Sequence, residues 1–255
     1  MALLEINSLA KRFGGLLAVN ALDLNVEQGE ILGLIGPNGA GKTTVLNIIG
    51  GTLSPTAGKL SFRGEDITKF PPHRRCQRGI ARIFQRNILF HSFTVIDNML
   101  SGFHLHSKKG LTEVFRSIST RHQSVLYEKA VEILQFVGLA NQADEMAINL
   151  PHGHQRALCL AIALATQPRL LLLDEPLTGM NAEEVAGMSD MIRTLRDEKG
   201  ITSIVVEHNI KAVTGLCDRI AVLNYGRKIA EGSPKDITGN PDVIEAYLGA
   251  EDDAI

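Results

Sequence analysis

The chain has 255 residues, 44% of them hydrophobic, and a formal net charge of −2. That length supports one large domain or two lobes around a real core, and the charge argues against broad nonspecific nucleic-acid binding. The longest apolar run, Ala157 to Ala165, is nine residues, whereas a bilayer span needs about 20, so no membrane crossing is expected.

Met1-Ala2-Leu3-Leu4-Glu5 lacks the basic-then-apolar order of a secretion signal. Leu3 to Ala10 and Ala18 to Val26 read as strands, the second alternating at Leu22, Leu24 and Val26. Between them Arg12-Phe13-Gly14-Gly15 reads as a turn. Phe13 there either stacks on a flat ligand ring or packs as an ordinary core Phe at a strand end; spacing alone leaves both open.

The apolar run Ile31 to Ile35 reads as a buried parallel strand. It feeds Gly36-Pro37-Asn38-Gly39-Ala40-Gly41-Lys42-Thr43-Thr44, and a helix begins after it. Strand, glycine-rich loop, then Lys-Thr at a helix start is the phosphate-binding P-loop. The glycines let successive backbone N–H groups turn inward around an anion, and the helix N-terminus adds positive potential at the same point. Lys42 is expected to reach the β- and γ-phosphates of a nucleotide, and the Thr43 hydroxyl to bind Mg²⁺.

Ser54 to Gly58 is a turn, Lys59 to Phe62 a strand, and Gly64-Glu65-Asp66 another turn. The basic cluster Arg74, Arg75 and Arg78 reads as a solvated helix face. Ile80 to Phe84 is a strand ending at Gln85, and a loop Gln is ordinarily just solvated. Thr94 is the expected N-cap of the next helix, with Asp97 three residues on. Phe103 to Gln123 forms a polar, basic insert whose His104 and His106 lack an evident third ligand, so a surface role is expected rather than metal binding. Ser124 to Leu139 is an amphipathic helix with Leu126, Ala130, Val131, Leu134 and Val137 on one side.

Leu150 to Gln155 is a polar turn opening a hydrophobic helix that runs to about Thr166. Arg169 to Pro176 is a buried strand ending in Asp174 and Glu175. Such a strand lifts the carboxylates to the edge of the sheet where ligands of open α/β folds bind. One carboxylate can hold hydrated Mg²⁺ while its neighbour orients and deprotonates water. Ala182 to Glu198 is a helix, and Thr202 to Val206 a strand with Glu207-His208-Asn209 at its end, which gives His208 a route to the nucleotide. Ile220 to Leu223 and Lys228 to Ala230 complete the sheet, and Pro241 to Leu248 is a short C-terminal helix before a polar tail. Cys76, Cys159 and Cys217 are far apart and without C-x-x-C spacing, which suggests a reducing compartment and neither a disulfide framework nor a zinc site.

With both nucleotide signals placed, the whole chain resembles the ATP-binding subunit of an ABC transporter. Gly36 to Thr44 is similar to the Walker A motif. Leu170 to Glu175 is similar to Walker B, and the resemblance makes Asp174 the Mg²⁺ residue and Glu175 the catalytic base. Gln85 matches the Q-loop, which senses Mg²⁺ and water and couples to the membrane subunit; His208 matches the switch histidine; Phe13 matches the adenine-stacking aromatic. Arg12 to Val19, the insert after Gly102, and Asn240 to Gly249 resemble branched-chain amino-acid uptake cassettes of the longer type. Cassettes for urea uptake and lipopolysaccharide export are near relatives.

The resemblance implies a single cassette over residues 1–255: an α/β P-loop NTPase fold with a mainly parallel core sheet, an antiparallel β lobe, and a helical lobe at about 86–165. It implies ATP and Mg²⁺, a second cassette, two transmembrane permease subunits, and a periplasmic solute-binding protein acting indirectly. No nucleic-acid partner is expected, since repair-type members carry long coiled coils and ribosomal ones tandem cassettes. The expected location is the cytoplasmic face of the cell membrane.

Two departures stand out. The signature, Leu-Ser-Gly-Gly-Gln or Leu-Ser-Tyr-Gly-Gln in the resembled branch, here reads Leu150-Pro151-His152-Gly153-His154. Pro151 brings neither hydroxyl nor N–H, and one donor lost from developing charge costs about 2.7–4 kcal/mol, or ~10²–10³ in rate. His152 or His154 could substitute in part as donors. Asn181 stands where many members carry Asp, although the longer cassettes tolerate it. A heterodimer with one weak site is therefore expected, and the alternative is a nucleotide-gated regulatory cassette with little hydrolysis.

Overall fold

The computed structural model describes residues 2–85, 87–103, 121–208 and 210–252. Its strands in chain order are β1 (Ala2–Phe13), β2 (Leu16–Glu27), β3 (Ile31–Ile35), β4 (Ala57–Phe62), β5 (Glu65–Asp66), β6 (Ile80–Ile83), β7 (Leu170–Asp174), β8 (Thr202–Val206), β9 (Arg219–Asn224) and β10 (Arg227–Gly232). The helices are α1 (Lys42–Gly50), α2 (Pro72–Gln77), α3 (Val95–Ser101), α4 (Arg121–Phe136), α5 (His152–Ala165), α6 (Ala182–Lys199), α7 (Ile210–Thr214), α8 (Pro234–Thr238) and α9 (Pro241–Asp252).

β1, β2, β4 and β5 form an antiparallel sheet in the order β2-β1-β4-β5. The second sheet runs β10-β9-β3-β8-β7-β6, with β9 through β6 parallel and β10 antiparallel at one edge. The apolar runs are covered on both faces, as parallel strands require. Side chains alternate along a strand, so each strand feeds two cores. Leu170, Leu172, Leu32, Leu34, Ile204 and Val206 face the β lobe and α1, while Leu171, Leu173, Ile31, Ile35 and Val205 face α5, α6 and the helical lobe. α1 therefore lies between the two sheets. Emptying one such leucine to Ala would cost about 2–5 kcal/mol.

Sheet register determines where the site can be. Leu34 and Asp174 both pair with Val206, and Ile83 pairs with Leu173. Hence Gly36 after β3, Glu175 after β7, Glu207-His208 after β8 and Gln85 after β6 all emerge at one sheet edge, the C-terminal ends of the parallel strands.

Side-chain caps start α3, α6 and α8, whereas α1, α2 and α5 begin without one. Thr94 caps α3, its Oγ1 accepting from Asp97 N at 3.2 Å and its hydroxyl donating to Asp97 Oδ2 at 2.7 Å. Asn98, fully buried, fixes the preceding loop by donating to the carbonyls of Phe90 and Thr94 and accepting from Phe90 N. α3, α4 and α5 pack together, with Met99, Ala130, Leu134, Leu158 and Ala161 buried among them.

Several expectations need correction. Arg75 is not on a solvated face: it is 1% exposed. It donates to the carbonyls of Phe70, Thr68, Ile48 and Ile49, the last two in the final turn of α1. Burial brings its guanidinium down to about 10, still protonated at neutral pH. A helix end leaves orphan carbonyls, and Arg75 donates to that of Ile49 while sharing Ile48 O with Gly51 N, which donates to it at 3.2 Å. Arg74 and Arg78 are exposed, as expected, with Arg74 over the Phe70 ring and Arg78 paired with Glu65. β1 and β2 extend to Phe13 and from Leu16, so the turn is only Gly14-Gly15. Glu65-Asp66 is a short strand on β4, β6 stops at Ile83, and the helix expected over 124–139 spans Arg121–Phe136. The C-terminal helix continues past Leu248 to Asp252. His104 and His106, like most of the insert, lie outside the described residues. Among the described residues no helix is long and apolar enough to cross a membrane.

Candidate active site

The turn from β3 into α1 is built so that only glycine fits at two points. Gly36 has φ +148°, and a Cβ there would lie 2.0 Å from the carbonyl oxygen of Leu223. Gly41 has φ +102°, and its Cβ would lie 2.5 Å from Ala18 O. The loop is thus pressed against β9 on one side and the β lobe on the other. The Tyr225-Gly226 hairpin clamps it further, with Gly226 N donating to Ala40 O at 3.0 Å. The C-terminal helix reaches the same loop: the Tyr247 phenol neighbours the Gly36 backbone, and burial pushes it up to about 12. Asn38, Gly39 and Thr43 are exposed on the open side, Thr44 is half-buried, and Ala40 is buried beneath.

Lys42 is 7% exposed and donates to the carbonyls of Gly36 at 2.7 Å and Pro37 at 2.9 Å. Burial lowers its pKa, while Glu175, Asp174 and Glu207 oppose that shift. The loop therefore holds a desolvated cation beside three carboxylates. Asp174 is 4% exposed, and its Oδ2 accepts from Arg82 at 2.8 Å. Glu175 has φ +49°, a left-handed conformation that a non-glycine residue adopts only at a cost of about 1–3 kcal/mol. That turn bends the backbone off the strand directly after Asp174, so the two adjacent carboxylates take different surroundings. Gln85 Nε2 donates to Glu175 Oε2 at 2.7 Å, and His208 Nδ1 lies 3.7 Å from Glu175 Oε1. Gln85 and His208, both singled out in the sequence, are thereby brought from two other strand ends to Glu175.

The donor set fits magnesium: the Asp174 carboxylate and Thr43 hydroxyl are hard oxygen groups at the mouth of an anion-binding turn. Phe13 is 44% exposed at the end of β1, with Lys11 Nζ 5.0 Å from its ring centroid. Its ring is therefore accessible, and the core alternative does not hold.

The Pro151 turn and the loop after Glu175 pack against each other. Pro151 is exposed at the N-cap of α5 and makes no side-chain cap bond. His152 is exposed and borders Gly179; Gly153 is buried so tightly that a Cβ would lie 2.4 Å from Glu184 Oε1. His154 is half-buried, and its Nδ1 has no hydrogen-bond partner among the described residues. Asn181 caps α6: its Oδ1 accepts from Glu183 N and Glu184 N, and Glu184 Oε2 accepts from Asn181 N at 2.9 Å. Asn and Asp serve equally there, which gives Asn181 a structural reason to be tolerated.

Three participants escaped the sequence reading. Glu207, 1% exposed, accepts from Leu177 N at 2.9 Å and ties β8 to the loop after Glu175; burial raises its carboxyl. Arg156 on α5 donates to Phe84 O at 3.1 Å, fastening that helix to the segment before Gln85. Arg82 grips Asp174. Glu207 and Arg82 interrupt otherwise apolar buried strands or their ends, a signal that could have marked them.

A family model described as ABC transporter matches residues 19–178, and one described as branched-chain amino acid ATP-binding cassette transporter matches residues 227–253. The chain is 43% identical over 253 residues to the high-affinity branched-chain amino acid transport ATP-binding protein LivG of Salmonella typhimurium, covering 97% of this chain and 98% of that one. It is 41% identical over 249 residues to the corresponding protein BraF of Pseudomonas aeruginosa, covering 97% and 98%. Its fold is similar to the ADP conformation of MJ1267, an ATP-binding cassette of an ABC transporter, with a TM-score of 0.86, 29% identity, and coverage of 98% of this chain and 99% of that one. A phosphate-binding turn facing an acidic strand end, in a chain matched over most of its length, leads to one assignment: the chain belongs to the ABC transporter family, as one of its nucleotide-binding cassettes.

Proposed function

We propose that this cassette hydrolyses ATP to power uptake of branched-chain amino acids. The observation that carries the reading is the convergence on Glu175: Gln85 at 2.7 Å, His208 at 3.7 Å, and Asp174 adjacent in sequence. Similarity to LivG and BraF, together with the matched C-terminal region, favours amino-acid import over lipopolysaccharide export. The LptB export cassette of Haemophilus influenzae is 33% identical.

In this reading the N–H groups of Gly36 to Thr44 cradle the phosphates, Lys42 neutralises their charge, and Phe13 stacks on adenine. Thr43, Asp174 and Gln85 would hold Mg²⁺, which supplies Lewis-acid stabilisation of charge on the phosphoryl oxygens. Glu175 accepts a proton from the attacking water, Gln85 holds its carboxylate in place, and His208 faces the γ-phosphate. Two cassettes sandwich two nucleotides, each site joining one chain's P-loop to the other's signature turn. Closure on ATP and opening after hydrolysis drive two permease subunits, which a periplasmic binding protein supplies with solute. The helical lobe, about residues 86–165, meets the permease on the cytoplasmic face of the membrane. A groove of about 440 Å³ between that lobe and the core sheet, lined by Phe84, Ile88, Phe90 and Ile162, supports this placement.

The Pro151 turn implies asymmetry. This chain's own P-loop, Asp174, Glu175 and His208 work against a partner with an intact signature, whereas the site completed by Pro151 is weak. The natural assembly is then a heterodimer. The isolated chain should bind Mg-ATP and hydrolyse it slowly, and adding a cassette with an intact signature should raise turnover. Brisk hydrolysis by the isolated chain would overturn the heterodimer. A second reading, a nucleotide-gated regulatory cassette, is favoured by Pro151 alone; absence of hydrolysis in the complete transporter with amino acid and binding protein present would select it.

A further inference from the structure

We propose that Arg82 is a positioning residue of the hydrolytic site, holding Asp174 in the orientation that receives the divalent ion. The inference rests on the nucleotide-hydrolysis reading above. Arg82 lies within β6, and its side chain crosses to both neighbouring elements. Nη2 donates to Asp174 Oδ2 at 2.8 Å, and Nη1 donates to Asn47 Oδ1 at 2.6 Å on α1, one turn beyond Thr43. The guanidinium carbon also lies 4.6 Å from the Phe84 ring centroid. Three anchors of different kinds fix this planar group, and the ion pair is nearly buried, with side-chain exposures of 8% and 6%.

The arrangement has two consequences. Asp174 is engaged through Oδ2, while its Oδ1 accepts no hydrogen bond from the described residues. The same guanidinium links the strand that carries Asp174 to the helix that carries Thr43, so the two expected metal-binding oxygens share one brace. Charge alone points the other way, because a cation beside Asp174 repels a metal ion. Lys42 and Arg156, however, already face Asp174, Glu175 and Glu207, so with Arg82 three cations balance three carboxylates. Loss of the group that orients a metal-binding carboxylate generally costs ~10–100-fold in metal affinity, and we take that effect as the larger. Arg82 also lines the groove beneath the helical lobe, so a partner seated there touches the residue that grips Asp174.

The test uses the full chain and Mn²⁺ as the probe, with bound Mn²⁺ followed by paramagnetic resonance at saturating ATP. ATP affinity is measured separately in excess chelator. Arg82→Met should weaken nucleotide-dependent Mn²⁺ binding ~10–100-fold while metal-free ATP affinity stays at the wild-type value. Arg82→Lys, whose single ammonium is a poor substitute for a fork, should recover part of the loss. Asn47→Ala leaves the ion pair but removes its brace and should give a smaller loss; it serves as the test if Arg82→Met does not fold. Unchanged or tighter Mn²⁺ binding in Arg82→Met, or in Asn47→Ala where that variant serves, overturns the proposal. Wild-type protein that binds no Mn²⁺ with ATP present overturns the proposed function together with it, whereas a binding wild type with an equally binding variant overturns Arg82 alone.

Discussion

The substitution Pro151→Ser tests the asymmetry most directly. Pro151 occupies the N-cap of α5 at φ −54° and ψ 155°, a conformation that serine adopts at helix starts without strain. A serine hydroxyl there can accept from the first free N–H groups of α5, worth about 0.5–2 kcal/mol relative to a non-capping residue. Loss of proline's restriction on the unfolded chain offsets roughly 0.4–1 kcal/mol of that. The net stability change is small, so the variant folds, and any change in rate belongs to the site. There the serine restores one hydroxyl donor aimed at charge developing on the nucleotide of a second copy, worth about 2.7–4 kcal/mol. Phosphate release by the isolated chain at saturating Mg-ATP should therefore rise ~10²–10³-fold. It should depend on protein concentration, because each site needs two copies. His152 and His154 provide the competing outcome: if they already supply the donor, the gain shrinks. A Pro151→Ser rate within about threefold of wild type, at concentrations where dimers form, would refute the reasoning that the turn limits turnover.

Glu175→Gln should keep Mg-ATP binding and lose ~10²–10⁴ of turnover in the assembled transporter; unchanged turnover rejects Glu175 as the base. Arg75→Met should lower stability by about 3 kcal/mol or more in urea unfolding, since carbonyls of Ile48, Ile49, Thr68 and Phe70 lose a charged donor; a loss under about 1 kcal/mol would show that water replaces it. Glu207 gives a pH signature. Burial raises its folded pKa above 4.5, so the folded state holds the proton more tightly than the unfolded one. The resulting penalty is absent below about pH 4.5 and fully present above the folded pKa. The stability difference between wild type and Glu207→Gln should therefore move in favour of the wild type as pH falls from neutral towards 4.5; a difference flat in pH would place Glu207 in water.

The parallel strands were legible because each is a short run of aliphatic residues, and such runs survive only where both faces are covered. Polar-apolar alternation was not needed to place them; Leu170 to Leu173 and Ile31 to Ile35 declare themselves by composition. The P-loop was legible because its backbone geometry demands glycine at Gly36 and Gly41, where Leu223 O and Ala18 O stand in the way of any Cβ. Long-range polar partnerships were not legible. Arg75 reads as one more basic residue beside Arg74 and Arg78, and only the fold brings the last turn of α1 against it. Arg82 reads as a strand residue until β7 is set beside β6. The packing that joins each to its partner is a tertiary fact: Arg82 and Asp174 lie 92 residues apart, and Arg75 and Ile49 lie 26 apart.

The same distinction bears on the altered signature. In the proposed function, the side chains that meet the phosphates and the attacking water come from strand ends of a single sheet: Lys42 after β3, Glu175 after β7, His208 after β8 and Gln85 after β6. A register shift in any one strand would move its residue away from the other three, so the sheet register that builds the core also sets the geometry between them. The Pro151 turn stands apart, at the start of α5, where its contacts run to Gly179 on the loop after Glu175 and to Glu184 in the first turn of α6. Its backbone at φ −54° holds α5 in place equally well with proline or serine. Nothing in the folding of this chain therefore requires a hydroxyl at position 151. In the proposed heterodimer a donor at that position serves a nucleotide held by the partner, which leaves the turn free to diverge where that site is not required to turn over.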